Sequence, residues 1–222
     1  MKKLYIVVVL ASLFFATFLN AGYNQERRVL TSAKILQDVL KAPKTGITKE
    51  ILHNARAIAV FPNTKKAAFL VGGIVGEGVM SIKNENDEWS EPIFVNLEGL
   101  SLGVQIGFKT TDLVMIFKTD RSLDDLASGK IAIGVDAGVV AVAKGVQGGF
   151  KTDENLAANI ANYGKSSGLF LGMSVNSATL HVEDNENFDY YDELVYVNDI
   201  LSNDRVKQKP ESQRFKKILD SL

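Results

Sequence analysis

The 222-residue sequence contains no cysteine. That excludes disulfides, thiol nucleophiles, thiolate metal sites and the acylated cysteine that a bacterial lipoprotein needs at its cleavage point. A chain of roughly 200 residues can bury a sufficient core without such staples. Histidine is scarce: there are two, His53 and His181. Two isolated histidines without a nucleophile make a poor case for catalysis or for zinc. An excess of basic residues is missing as well. Setting aside Lys2 and Lys3 leaves 23 basic residues against 26 acidic ones, a formal charge of −3. Nucleic acid is therefore not expected as a partner, because no basic surplus exists to displace its counterions. Attraction to an anionic surface has to come from local patches.

Long apolar runs are confined to the beginning. Residues 1–21 open with Lys2 and Lys3, continue through the apolar stretch Leu4 to Leu19, and end at Leu19-Asn20-Ala21 before Gly22. This is the pattern of a secretory signal peptide, and it is short for a membrane span. An uncleaved anchor is the alternative. The compact leader looks bacterial, so the expected product is a periplasmic protein, cleaved and secreted, in which residues 22–222 form a single domain.

Beyond the leader, Gln25 to Ala42 carries Val29, Ala33, Leu36 and Leu40 at helical spacing and reads as a helix ended by Pro43 and Gly46. A second helix is expected from a Thr48 cap to about Ala57. Ile58 to Phe61 reads as a short buried strand stopped by Pro62. Polar turns are expected at Asn84 to Asp87 and at Lys109 to Asp112, between antiparallel strands. Ser122 to Ala127 reads as a short helix, and Ile131 to Ala143 as one strand. Asp153 to Tyr163 is a helical or irregular excursion, and Gly168 to Val182 returns to strand. The acidic, aromatic segment Asp184 to Asp192 reads as a solvated turn, Val197 to Leu201 as a short helix, and Glu211 to Leu222 as a final helix opened by Pro210.

Of the 18 glycines, 16 lie between Gly72 and Gly172. Read with a period of two, Gly99 to Phe108 places Leu100, Leu102, Val104, Ile106 and Phe108 on one face. The other face carries Gly99, Ser101, Gly103, Gln105 and Gly107 and is almost bare backbone. A bare strand face either lines a groove for a ligand or lets a neighbouring group pack closely and the strand bend. Phosphate-loop and nucleophile patterns among these glycines all break at a required position. Gly164-Lys165-Ser166 has Asn159 where the first glycine belongs, and Gly172-x-Ser174-x-Asn176 lacks its closing glycine. The acids Asp184, Glu186 and Asp189 lack the spacing of a calcium loop.

The ordered motifs resemble those of the SYLF lipid-binding family. They are Ala57-Ile58-Ala59-Val60-Phe61-Pro62, Gly72-Gly73 with Gly76-Glu77-Gly78-Val79, and Trp89-Ser90-x-Pro92. Gly99-x-Ser101-x-Gly103-x-Gln105-x-Gly107, Ser167-Gly168-Leu169-Phe170-x-Gly172 and Tyr190-Tyr191 follow in order. The resemblance implies binding to anionic lipid, with attachment through an N-terminal amphipathic segment and basic residues. It also implies actin binding in fungal members, commonly beside an SH3 domain. The leader and the lack of an SH3 segment depart from that layout, so actin binding is not expected here.

Two groups of cations are candidates for a lipid surface. Arg27, Arg28, Lys34 and Lys41 flank the apolar stripe of the first helix, which either lies in a membrane interface or packs on the core. Lys44, Lys49, Lys65 and Lys66 cluster in the following loop, helix start and turn, and are either a phosphate-attracting patch or scattered surface lysines. Gln105 and Asp136 are polar residues in strand-like runs and require partners if buried. The expected architecture is α+β: a long, curved, mainly antiparallel sheet, open or barrel-like, with N-terminal helices and a C-terminal helix. The expected function is a non-enzymatic lipid-binding or membrane-associating protein of the bacterial envelope that takes anionic phospholipid, with no metal and no cofactor. The alternative is a structural or protein-interaction module without lipid dependence.

Overall fold

In a computed structural model the chain is described over residues 24–41, 47–68, 72–101, 107–123, 126, 130–133, 139–140, 160–166, 169–172, 175, 178–202 and 206–222. The leader, Lys44, Gln105 and Asp136 lie outside these residues. The first helix, α1, covers residues 24–41. It is uninterrupted by glycine or proline, and Val29, Ala33, Leu36 and Val39 recur on one side and are buried. The second helix, α2, is only Lys49–His53, shorter than expected. The chain leaves it because Ala57 already pairs in a strand and the Arg56 N–H donates to Phe117 O at 2.8 Å. The Thr48 hydroxyl caps α2 by accepting from the Ile51 N–H at 3.2 Å. Thr48→Ala is expected to cost about 1 kcal/mol, as for other lost caps. An unchanged urea midpoint in the variant would show that the cap contributes nothing.

A nine-stranded sheet follows: β1 Ala57–Ala68, β2 Gly72–Ile82, β3 Ile93–Ser101, β4 Gly107–Phe117, β5 Lys130–Ile133, β6 Val139–Val140, β7 Ile160–Ser166, β8 Leu169–Gly172 and β9 Ala178–Val182. Their order is β5-β9-β3-β2-β1-β4-β7-β6, with β8 paired to β7 off this path. Every pairing is antiparallel except β6 with β7. The first halves of β1 and the last of β4, Ala57 to Phe61 and Leu113 to Phe117, are fully buried residue after residue. Such a run means that both faces of the sheet are covered there.

Pro62 does not stop β1. The strand continues to Ala68 through a bulge between Phe61 and Thr64, with one residue more than its partner on either side. Proline has no N–H to give to a ladder, so a bulge is where a central strand accepts it. Asn63 takes φ 53°, which an asparagine tolerates. The polar segment Lys109 to Asp112 is likewise not a turn but the first half of β4. Its side chains serve the bulge and the next strand. Asp112 accepts from the Asn63 N–H at 3.1 Å, and the Thr111 hydroxyl donates to Lys165 O at 2.7 Å.

Four further expectations are corrected or refined by topology. Gly99 to Phe108 is not one strand: Ser101 ends β3, Gly107 begins β4, and β2 and β1 lie between them. Ile131 to Ala143 is divided between β5 and β6, at opposite ends of the strand order, and Gly168 to Val182 between β8 and β9. Ile160 to Tyr163 belongs to β7 rather than to an irregular excursion. The division at β5 and β6 also defines curvature. Ile133 and Val139 are six residue steps apart and can be at most about 23 Å from each other. A flat sheet would hold strands seven places apart about 34 Å from each other. The sheet therefore curls its two ends together, yet no pairing closes it among the described residues.

A single-turn 3₁₀ helix covers Asp120–Leu123, and half of the helix expected from Ser122 to Ala127 lies outside the described residues. The acidic segment is helix α3, Asp184–Tyr191, rather than a solvated turn. It forms because it docks: Asn187 Oδ1 accepts from the Phe94 N–H at 2.9 Å, and the Tyr191 hydroxyl donates to Pro92 O at 2.6 Å. Helix α4 is Val197–Leu201, and α5, Pro210–Leu219, buries Phe215, Ile218 and Leu219.

Candidate functional site

An open space among the described residues lies along the first helix. A groove of about 900 Å³ runs between the start of α1, the β1 bulge and the exposed parts of β2 and β3. Arg27, Arg28 and Thr31 line it from the helix; Asn63 and Lys65 line it from the bulge. The bulge matters because it redirects β1 after Pro62. Thr64 turns inward, its hydroxyl donating to Phe61 O at 3.1 Å, and the next residue, Lys65, faces solvent. Cations separated by 38 positions in sequence thus border one groove.

Arg28 has a different situation from Arg27. Its side chain is only 11% exposed. Its guanidinium donates to Glu77 at 2.8 Å and forks onto both carboxylate oxygens of Glu186, and it sits 5.7 Å above the Phe94 ring. The bidentate fork suits arginine geometry and fixes the N-terminal end of α1 to β2 and α3. Asp38 does the same further along the helix, bonding Lys165 of β7 at 3.0 Å. With Val29, Ala33, Leu36 and Val39 in the core, α1 is packed on the protein along its apolar side. The helix therefore offers only its outward face.

On that face Arg27, Lys34 and Lys41 are exposed at intervals of seven residues, with Leu30 exposed among them. Seven residues fall within about 20° of two full helical turns, so the three cations make one nearly straight ridge. It is about 21 Å long. Lys66 is half-buried and, as the neighbour of Lys65 in a strand, points to the opposite face of the sheet. Lys49 begins α2, away from the ridge in sequence. Glu77, Glu98 and Glu186 also border the groove, so its charge is mixed, and among the described residues Arg28 is paired with two of these acids whereas Arg27 and Lys65 are exposed.

The other candidates separate. His53 ends α2 beside a smaller cavity of about 480 Å³ shared with Arg56 and Trp89, whereas His181 lies on β9 opposite Asn96. At the edge of that cavity Arg56 holds Asp87, which also lines it, and Asp120, each at 2.8 Å, and these bonds raise the pKa of Arg56. No group of three metal-ligating side chains occurs among the described residues. Sequence reading missed the partners of Arg28, which lie 49 and 158 positions away. It also missed the joining of two motifs: Tyr191 of the tyrosine pair bonds the carbonyl of Pro92 in Trp89-Ser90-Glu91-Pro92. No local spacing signals either contact.

Comparison with known proteins agrees with the motifs. The Ysc84 family model, described as Las17-binding protein actin regulator, matches residues 98–222, more than half of the chain. SH3 domain-containing YSC84-like protein 1 of Homo sapiens is 29% identical over 213 residues, covering 90% of this chain and 59% of the relative. LAS seventeen-binding protein 3 of Saccharomyces cerevisiae is 26% identical over 198 residues, covering 86% of this chain and 43% of the relative. The chain thus spans three-fifths or less of the length of these relatives.

Proposed function

The chain belongs to the Ysc84 family, and from that premise we propose that it is a non-enzymatic protein that binds anionic phospholipid and attaches peripherally to a membrane of the bacterial cell envelope. The observation that supports this most is the outward ridge Arg27, Lys34 and Lys41, with Lys65 beside its Arg27 end. A cation near an anionic bilayer contributes about 1 kcal/mol. Four of them amount to a several-hundred-fold preference for anionic over neutral membrane at low salt, and most of it is screened by a few hundred millimolar salt. Because the apolar stripe of α1 is buried, the contact is electrostatic and superficial rather than an insertion of that stripe. No helix among the described residues is long and apolar enough to cross a membrane. The leader-like residues 1–21 support a periplasmic location.

Vesicle flotation tests this. The protein is expected to float with vesicles containing phosphatidylglycerol and not with pure phosphatidylcholine, and to be released by 300 mM salt. The Lys34→Glu/Lys41→Glu variant should lose most of the bound fraction. Equal flotation on both vesicle types would sink the electrostatic reading. The names of the relatives, which refer to protein binding and SH3 domains, favour a second reading, an interaction module without lipid dependence.

A further inference from the structure

Among the described residues five large apolar side chains are exposed, and three of them occur within nine residues where α3 gives way to α4. Phe188 is 48% exposed, Leu194 65% and Tyr196 61%. They are held in place rather than loose. Phe188 O accepts from the Asp192 N–H at 2.9 Å as α3 ends, and Asp192 adopts the left-handed conformation that turns the chain. Val195, between Leu194 and Tyr196, is buried and anchors the loop from beneath. Tyr196 then opens α4, its N–H donating to Asp199 at 3.1 Å. Tyr196 is itself extended, at φ −99° and ψ 163°, and with Val195 turned inward its neighbours Leu194 and Tyr196 face solvent.

The segment that carries this corner is acidic, and the cations that reach it, Arg28 and Lys209, are each held in an ion pair. Between His181 and Arg205 there are eight acidic residues and no basic one. Glu186 and Asp192 already bond Arg28 and Lys209, whereas Asp184 and Glu193 face solvent. The crowding is felt locally: Glu183 is pushed above the usual carboxylate range first by burial and then by the charge of Glu186. Exposed aromatic and aliphatic side chains on an acidic segment are unsuited to an anionic bilayer, which would be repelled. They suit the opposite chemistry. Clustered Tyr, Phe and Leu supply desolvated anchors, while the acids steer a cationic partner and fix its register.

We propose that the α3–α4 corner, built on Phe188, Leu194 and Tyr196 with Asp184 and Glu193 around them, is a docking surface for a basic peptide segment of a partner protein that carries apolar side chains. The surface is separate in sequence and in charge from the cationic ridge of α1, so a membrane and a protein can be held by different parts of the same molecule.

The test uses the full chain and a fluorescein-labelled 14-residue peptide of lysine and leucine with leucines at helical spacing. A second peptide of equal charge has serine at the leucine positions. The leucine peptide is expected to bind at least tenfold more tightly than the serine peptide. Leu194→Ser/Tyr196→Ser should abolish that difference, and Glu193→Lys should weaken both peptides and reduce their salt dependence. All four positions of substitution or anchoring are solvent-facing, so thermal melts of the variants should match the parent. Equal binding of the leucine peptide by parent and Leu194→Ser/Tyr196→Ser protein overturns the proposal. So does sedimentation showing a dimer that this double variant dissociates, because the occupant is then a second copy. Flotation on anionic vesicles separates this proposal from lipid binding: it should be unaffected by Leu194→Ser/Tyr196→Ser, and its loss there would make the corner a membrane contact instead.

Discussion

Gly78→Ala is expected to destabilise the protein by about 3 kcal/mol, the upper part of the range for overpacking a core. A Cβ at this position would stand 2.5 Å from Phe61 Cδ1 and 2.5 Å from Val60 O. No real Cβ approaches heavy atoms so closely, so β1 and β2 would have to separate where β1 is bulged. The Phe61 ring is fully buried and lies over the bare backbone that Gly76 and Gly78 leave in β2. Reducing the ring does not solve the problem. Gly78→Ala/Phe61→Leu is expected to be no more stable than Gly78→Ala, because the Val60 carbonyl is backbone and cannot move aside. Gly73→Ala serves as the control on the same strand. Among the described residues its Cβ would meet Gly99 O at 3.9 Å, ordinary contact, and its effect should stay within about 0.5 kcal/mol. Urea unfolding of the three variants decides the matter: similar losses at Gly73 and Gly78 would mean that strand flexibility, not the bulge, sets the requirement.

The second large effect concerns alkaline pH. Tyr190 and Tyr191 are buried where α3 meets β3 and α5, with ring centroids 4.9 Å apart, and Phe94 lies 5.0 Å from Tyr190. Burial pushes the Tyr190 hydroxyl far above its ordinary value, and the nearby Glu211 adds to it. Tyr191 is raised well above its ordinary value too, by burial and then by Glu91. A phenol is neutral when protonated, so the folded state keeps protons that the unfolded chain gives up near pH 10. The stability these groups contribute is complete below pH 10 and is lost as pH rises toward their folded values. By pH 11 the pair should have removed about 3 kcal/mol, roughly half from each tyrosine. Tyr163, also raised by burial, acts in the same direction. Tyr190→Phe keeps the ring and removes the ionisation, so its stability should fall less steeply between pH 9 and 11. Identical pH slopes for the parent and Tyr190→Phe would show that lysine titration, not this cluster, causes the alkaline loss.

The glycines of β2 show how the sequence pattern and the fold relate. A glycine inside a strand run signals that something comes close, and Gly76 and Gly78 are indeed covered, by Thr64 and Phe61. Which group comes close depended on an extra residue in a different strand. The same holds for the segment Gly99 to Phe108. Its alternation suggested one continuous strand, but Ser101 and Gly107 belong to strands separated by two others. Alternation reports a period, and a period persists on both sides of a break that it cannot reveal. Pro62 and the polar segment Lys109 to Asp112 misled for one shared reason. Both look like chain punctuation in a linear sequence, whereas the bulge accommodates the missing N–H of the one and uses the carboxylate of the other.

What the sequence determined by itself was local or compositional. The helical stripe of α1, the proline start of α5, the Asn84 turn and the family motifs are all written in short spacings. So was the exclusion of thiol chemistry. Tertiary structure decided which cations stay available. Arg27 and Arg28 are adjacent and chemically alike, yet one faces solvent and the other is held by Glu77 and Glu186. A helix turns by about 100° per residue, so neighbours point in different directions. What each then meets depends on strands and helices brought together from distant parts of the chain. The outward ridge and the acidic corner arise in the same way: residue type supplies the charge, and packing decides which charges and apolar side chains are left facing out.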